Sequence, residues 1–279
     1  MKRVDPKVYT EKYYLTDCTG HKEFKESLGE QLEIRFKEIV KHFNVSYGMR
    51  ILDIGCGRGE MILFCAKKGA TAIGIDYAED AIRLAKLVRS RQIDRIKQRM
   101  NFYTMDAKKL KFQDSFFDLI ILTDVVEHLY PEELKLVFKE IKRILKNGGK
   151  IVIHTAPNRW FNDFGYKYYS YPISTALVFI WNSLFKKNYP NIAKPEELRT
   201  DSHAIMHVNE PRYFSLRKLY KKYGFHGTID STNITAKKPP LSFQDILFNF
   251  IVFLDPISRK FPLNIIFGSD FFSILINKK

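Results

Sequence analysis

Ile51-Leu-Asp-Ile-Gly-Cys-Gly-Arg-Gly-Glu60 decides the fold. A short strand pattern, three apolar residues around Asp53, runs into a turn with glycine at 55, 57 and 59, and a helical pattern, Met61–Lys68, follows at once. Glycines at such a turn let the chain bend sharply and bring its backbone close to a ligand. In open α/β sheets ligands sit at the carboxyl ends of the strands, which is where this turn falls. Outward from it, short apolar runs alternate with helical patterns, the signature of a parallel sheet built from βαβ units. The strands expected are Arg50–Ile54, Thr71–Ile75, Asn101–Met105, Phe117–Leu122 and Lys150–His154. A helix at Arg212–Tyr223, a strand from Phe225 and a last strand near Phe271–Ile276 continue the series. His21–His42 reads as one or two amphipathic helices ahead of the first strand.

A dinucleotide fingerprint would need a third glycine at position 60, and that residue is Glu60. A carboxylate there would repel a pyrophosphate at the helix N-terminus. The Asp53 and Glu60 carboxylates suit a cationic ligand instead, and S-adenosylmethionine carries a sulfonium and an ammonium. Asp76 ends the second strand, where a carboxylate can accept both hydroxyl hydrogens of a ribose. Asp106 follows the third strand, where it can accept from an adenine amino group. Each aspartate alone would be an ordinary cap or turn residue. Three such signals at three successive strand ends point to one ligand.

The order DIGCGRG, GIDYA, TMDAKKL, FDLIILTDVVEHL and LKNGGKIVIHTAPN resembles the class I S-adenosylmethionine-dependent methyltransferases over residues 35–158. One departure is Asn147-Gly-Gly149, where Pro-Gly-Gly is usual. The resemblance implies an α/β, Rossmann-like sheet of seven mostly parallel strands, helices on both faces and the last strand antiparallel. It implies that Asp53 and Gly55 face the methionine part, Asp76 the ribose, Asp106 with Ala107 the adenine, that Thr123 faces the ligand at the end of the fourth strand, and that Gly57, Gly59 and Tyr77 also belong to the cofactor site. The nearest likeness is to the O-methyltransferases of quinone biosynthesis (the type 11 group). There an arginine twenty residues before the first motif glycine lies near the cofactor's carboxylate, and Arg35 holds that place here. An arginine in an amphipathic helix can equally serve solubility alone.

Methyl transfer to a hydroxyl needs a base or a metal to take the proton. If a helix begins at Asp124, then Asp124, Glu127 and His128 share one face at i, i+3 and i+4 and could hold a divalent ion. In the quinone O-methyltransferases a similar S/T-E-x-x-E-H run is associated with Mg²⁺; the shorter Asp124 replaces the first glutamate here. The alternatives are an N-cap at Asp124 and a base role for His128 without metal. His203 and His207, in the stretch that covers the acceptor site in related enzymes, are further base candidates, as is His154 at the end of the fifth strand. The catalytic set expected is His128, Glu127 and His207.

The chain of 279 residues reads as one domain. N-terminal helices occupy 1–49, the cofactor-binding core 50–156, an insertion 157–209, a core helix and strand 210–235, an apolar insertion 236–269 and the last strand 270–279. Three cysteines without metal spacing, no apolar N-terminal leader and no apolar run of ~18–20 residues suggest a cytoplasmic protein without a membrane span. The net charge of +15 suggests either a solvated surface, a nucleic acid or an anionic membrane as partner. Against RNA, no Asn-Pro-Pro-Tyr-like tetrad follows the fourth strand and no RNA-binding module is recognisable. A cofactor-binding protein without activity is a third reading. Nothing in the sequence fixes an oligomeric state.

Ser242-Phe-Gln-Asp245 resembles a capping box that opens a helix to about Leu254, apolar almost all round and stopped by Asp255-Pro256. Lys237, Lys238, Arg259 and Lys260 flank it. Ala176–Trp181 is a second apolar piece, with Tyr166, Tyr168, Tyr169 and Tyr171 before it and Lys186 and Lys187 after it. Aromatic and basic residues beside an apolar core suit a membrane interface. The insertions are therefore expected to cap the site and form an apolar entrance for a small lipophilic acceptor at a membrane surface. Plain packing against the sheet or across a dimer is the alternative.

Overall fold

The computed structural model describes residues 3–186, 188–199, 205–232, 237 and 240–278. Its centre is one seven-stranded sheet in the order β3-β2-β1-β4-β5-β7-β6. The strands are β1 (Arg50–Ile54), β2 (Thr71–Asp76), β3 (Met100–Thr104), β4 (Phe117–Thr123), β5 (Leu145–Thr155), β6 (Phe225–Asp230) and β7 (Phe271–Asn277). Strands β1 to β5 pair in parallel, and β7 runs antiparallel between β5 and β6. The Rossmann-like sheet with an antiparallel last strand is thus present. Strand β5 starts five residues earlier than the sequence suggests, because Asn147-Gly-Gly149 lies within it, with a register shift between Phe117 and Leu119 opposite.

The central strands are buried on both sides, as their unbroken apolar runs require. Leu52, Ile120 and Ile153 pack on one face with helix α7 (Pro131–Ile144) through Leu134, Val137, Phe138 and Ile141. Ile51, Leu119, Ile121 and Val152 pack on the other with α3 (Ile34–Val40) and α4 (Glu60–Lys67). The remaining helices named here are α1 (Glu11–Thr16), α2 (His21–Ser27), α5 (Glu79–Ser90), α6 (Asp94–Lys97), α8 (Tyr171–Phe185), α9 (Tyr213–Lys222) and α10 (Phe243–Phe253).

The two insertions form one cap. A π-helix, Phe161–Ser170, runs into α8, and α10 packs beside both, so that Phe161 and Tyr166 share a core with Val252 and Phe253. The Asn158 amide, fully buried, donates to the carbonyls of Asn264, Ile265 and Gly268, and the Tyr169 hydroxyl donates to Ile251 O. Gly165 lies so close to Ile266 O that an added Cβ would sit 2.1 Å from it. The capping box at Ser242 is present: Ser242 Oγ accepts from Asp245 N at 3.2 Å, and Ser242 N donates to the Asp245 carboxylate at 3.1 Å. The helix it opens is not exposed all round. Val252 and Phe253 are buried and Phe248 packs against Phe253, whereas Phe243, Ile246, Leu247 and Phe250 face outward.

Candidate functional site

At the carboxyl ends of β1, β2, β4 and β5 lies a cleft of about 500 Å³. Its floor is the glycine turn. Gly55 sits at φ +72°, a backbone region that disfavours a side chain, and a Cβ there would meet Val125 Cγ2 at 2.5 Å. Asp53, Gly55, Gly57, Asp76, Tyr77, Asp106, Ala107, Thr123 and Arg35 all line this cleft, so those cofactor candidates come together. Gly59 is not in the lining: at φ +87° it lets α4 start against Phe102 and Ala85.

The electrostatics of the floor follow from burial. Asp53 is 2% exposed, and burial, reinforced by Asp76 and Glu60, pushes its carboxyl well above the usual range. Asp76 is pushed up to about 6 by burial, against the backbone N–H groups of Ala78, Gly57 and Tyr77 that favour its charged form. Gly57 N donates to it at 3.1 Å and Ala78 N at 2.9 Å. Acids held above their ordinary pKa by lack of solvent gain most from a ligand that brings cationic groups or hydroxyl donors. Glu60 is otherwise engaged. Its carboxylate pairs with Arg58 at 2.8 Å, and buried Arg58 also donates to Tyr14 O and Thr19 O. That pair fastens the N-terminal segment to the glycine turn. Asp106 accepts from Lys108 N at 2.9 Å, a turn bond that leaves it at the cleft's rim.

Two buried polar atoms in the cleft wall, Arg35 Nε and Thr123 Oγ1, have no hydrogen-bond partner. Buried polar groups are ordinarily satisfied. A ligand with a carboxylate and an amino group, such as the methionine end of S-adenosylmethionine, fits this demand, and the acids of the floor fit its cations.

The Asp124 region differs from expectation. No helix starts there: Asp124 sits at φ +55°, a short 3-10 turn Val126–His128 follows, and α7 begins at Pro131. Asp124 instead pairs with Arg35 at 2.7 Å and with His154 Nδ1 at 2.6 Å. Burial would raise its pKa, but Arg35 and His154 hold it well below the usual carboxylate range. Asp124, Glu127 and His128 therefore do not form the expected metal triad. Glu127, His128 and His207 do converge, with one ligand atom from each within 4.8 Å of the others. Two imidazoles and a single carboxylate do not fit Mg²⁺, which takes nearly all its ligands as oxygen. Glu127, 1% exposed, already accepts from Thr155 Oγ1 at 2.8 Å and Ala156 N at 3.3 Å. Burial, with Asp124 nearby, pushes its carboxyl upward.

His128 has partners that the sequence did not disclose. Its Nδ1 lies 2.8 Å from the Tyr9 hydroxyl and 3.1 Å from Met206 O. A carbonyl only accepts, so the arrangement that satisfies both places the proton on Nδ1 and the lone pair on Nε2. Tyr9 in turn stands 5.6 Å, ring to ring, from both Tyr77 and Tyr13. Tyr9, Tyr13 and Tyr14, all from the N-terminal segment, wall the cleft. His207 lies beside His128, rings 4.9 Å apart. His154 is buried beneath the site rather than open to it, and His203 lies outside the described residues.

The fold is similar to that of solved S-adenosylmethionine-dependent methyltransferases. Residues 52–153 match the family described as Methyltransferase domain. A ubiquinone biosynthesis O-methyltransferase of Coxiella burnetii is 30% identical over 167 residues, 59% of this chain and 65% of the relative. The Bartonella tribocorum protein of the same description is 28% identical over 151 residues, 54% of this chain and 57% of the relative. The chain thus spans less than two thirds of the length of these relatives. Among solved structures, a protein from Pyrococcus horikoshii aligns with TM-score 0.53 and 20% identity over 99% of this chain and 97% of its own. Phosphoethanolamine N-methyltransferase 2 of Haemonchus contortus, solved with S-adenosyl-L-methionine, aligns with TM-score 0.55 and 16% identity over 97% of this chain and 60% of its own. At such identities the structures speak for the fold alone.

The expectation that Asp76 accepts from the ribose hydroxyls has a direct test. Asp76→Ala is expected to weaken S-adenosylmethionine binding by ~1–3 kcal/mol in a folded protein, as calorimetry would show. Unchanged affinity would remove Asp76 from the ribose site.

Proposed function

We propose that this chain methylates an oxygen of a small lipophilic acceptor, of the phenol, lipid head-group or lipid-linked glycan kind, at the membrane surface on the cytoplasmic side. The observation that carries the reading is His128: its Nδ1 is held by Tyr9 and Met206 O, and the residue lines the cleft whose floor is the glycine turn. S-adenosylmethionine supplies a methyl already activated by its sulfonium. The protein's share is to align the acceptor, exclude water and accept a proton at His128 Nε2. Phe36, Pro157, Phe161 and Leu198 give the acceptor side of the cleft an apolar lining.

Support for a lipophilic acceptor comes from the cap's outer face. Phe243, Phe179 and Leu184 are each more than 70% exposed, and Phe185, Ile246, Phe250 and Phe261 are also exposed in the same insertions. An apolar patch this large marks an interaction surface. No helix among the described residues is long and apolar enough to cross a membrane, so a surface-lying mode is the one available. Lys186 ends α8, Lys260 remains 71% exposed while paired with Asp230, and Lys237 is 60% exposed while paired with Asp245. The expected flanking Lys187 and Lys238 lie outside the described residues.

The basic stretch of residues 83–99 does not require a nucleic acid. Arg89 donates to Lys97 O and Met100 O, Arg99 to Gly69 O, and Arg83 pairs with Glu11 and Asp80.

Incubation with radiolabelled S-adenosylmethionine and fractionated cell extract tests the acceptor class. Label in the lipid-soluble fraction supports the reading; label in RNA overturns it, and tight cofactor binding without any labelled fraction would favour a non-catalytic protein. The membrane part has its own test. The protein is expected to sediment with anionic liposomes at low salt, and Phe179→Asp with Phe250→Asp to abolish this at unchanged cofactor affinity. A wild type that stays in the supernatant would end it.

A further inference from the structure

We propose that His154 and Asp270 are positioning residues for the methionine end of the cofactor, acting through a buried row of alternating charges that presents Arg35 to a carboxylate. The inference rests on the cofactor assignment above. The row crosses the sheet along its carboxyl edge. Arg35, on α3, pairs with Asp124 Oδ2 at 2.7 Å. Asp124, after β4, accepts at its Oδ1 from His154 Nδ1 at 2.6 Å. His154, at the end of β5, gives its Nε2 to Asp270 Oδ2 at 2.9 Å. Asp270, leading into β7, also accepts from Thr232 N at 2.9 Å, from Thr232 Oγ1 at 2.7 Å and from the Ser231 hydroxyl, all at the end of β6.

The row is closed at one end and open at the other. Both carboxylate oxygens of Asp270 and both ring nitrogens of His154 are bonded, and these two side chains are at most 1% exposed. At the cleft end, Arg35 Nε and Thr123 Oγ1, next to Asp124, are buried without partners. A row built only for cohesion has no reason to leave its unsatisfied atoms at the ligand side alone. The sharing of Asp124 explains how Arg35 keeps its donors. An isolated Arg–Asp pair tends to close as a two-pronged fork that satisfies the guanidinium. Here His154 Nδ1 bonds Asp124 Oδ1 and Arg35 meets Asp124 through Oδ2, so the pair is not closed as a two-pronged fork. Asp270 is what keeps His154 in the doubly protonated form this requires, since both ring nitrogens face carboxylates. The groups facing His154 are Asp124, Asp270, Arg35 and, farther off, Glu127. The left-handed backbone at Asp124 is held in the same way, by its N–H donating to His154 O at 3.0 Å.

Two ligands separate a positioning role from a structural one. S-adenosylhomocysteine carries the amino-acid end, whereas 5′-methylthioadenosine has the same adenosine and thioether without it. In His154→Gln and in Asp270→Asn, affinity for S-adenosylhomocysteine is expected to fall at least about tenfold, the scale of one charged hydrogen bond. Affinity for 5′-methylthioadenosine should stay within about twofold, which also reports that the variant is folded. Arg35→Gln should behave alike, and Arg35→Gln with His154→Gln should lose no more than Arg35→Gln alone, because both act through one contact. Equal losses for both ligands, additive losses in the double variant, or Arg35→Gln binding both ligands like wild type would overturn the proposal. Arg35→Gln, at the cleft wall, keeps the test decisive if a buried variant does not fold. A wild type that binds neither ligand would instead overturn the cofactor assignment.

Discussion

His128→Ala is expected to lower kcat by about 10²–10⁴-fold while S-adenosylmethionine binds as before, since a positioned general base contributes on that scale. Its ring touches Tyr9, Met206 O and His207, and none of the floor acids depends on it. The separation of turnover from binding is therefore the diagnostic. Tyr9→Phe keeps the ring packing but removes the hydroxyl, so a smaller loss and a changed pH–rate profile should accompany it. Rate assays with the labelled acceptor fraction, together with calorimetry, decide the matter: a fully active His128→Ala would remove the base from the mechanism.

The second large effect concerns stability. His154 would be driven neutral by its burial, but Asp124 and Asp270 outweigh that and raise it to about 9 from an ordinary 6.5. A cation with a raised folded-state pKa stabilises fully below its unfolded value, and the contribution is lost as pH rises through the folded one. A shift of this size corresponds to about 3 kcal/mol. The share of wild-type stability due to His154, read in urea against His154→Gln, is therefore expected to decline between pH 6.5 and 9 by about that amount. Asp270→Ala should cost about 3–5 kcal/mol at pH 6, where it strands a buried imidazolium, and distinctly less at pH 10, where His154 is neutral. A cost that does not vary with pH would show that His154 is uncharged in the folded protein.

The centre of the sheet was readable in the sequence because β1, β2 and β4 are largely apolar runs with an aspartate or threonine at or near their carboxyl ends. Asp53 and Asp76 follow that rule, and local pattern suffices to find them. The segment after β4 was misread for a physical reason. Asp124-Val-Val-Glu-His128 carries helical spacing, but the ion pairs with Arg35 and His154 hold Asp124 in a left-handed conformation, and long-range contacts override local preference. Tyr9 and Asp270 went unnoticed because their partners lie 119 and 116 residues away, at His128 and His154. The only local hint was the cluster Tyr9, Tyr13 and Tyr14 in an otherwise charged N-terminus. In α10 the amphipathic division was hidden because both faces are apolar: Val252 and Phe253 pack inward, Phe243 and Phe250 outward.

Strand β6 runs antiparallel to β7, and β7 antiparallel to β5, so the connections after β5 and after β6 leave the sheet at the same edge. Both insertions of the cap are thus rooted outside the glycine turn, β1 and β2, on which the methyl donor depends. Under the proposed function, such a layout lets evolution lengthen, shorten or exchange the insertions that would meet the acceptor while the donor half stays under separate selection. Homologues should accordingly drift fastest in residues 157–209 and 236–269, and a chimera carrying another enzyme's pair of insertions, moved together because Asn158 and Gly165 lock them to each other, would inherit that enzyme's choice of acceptor.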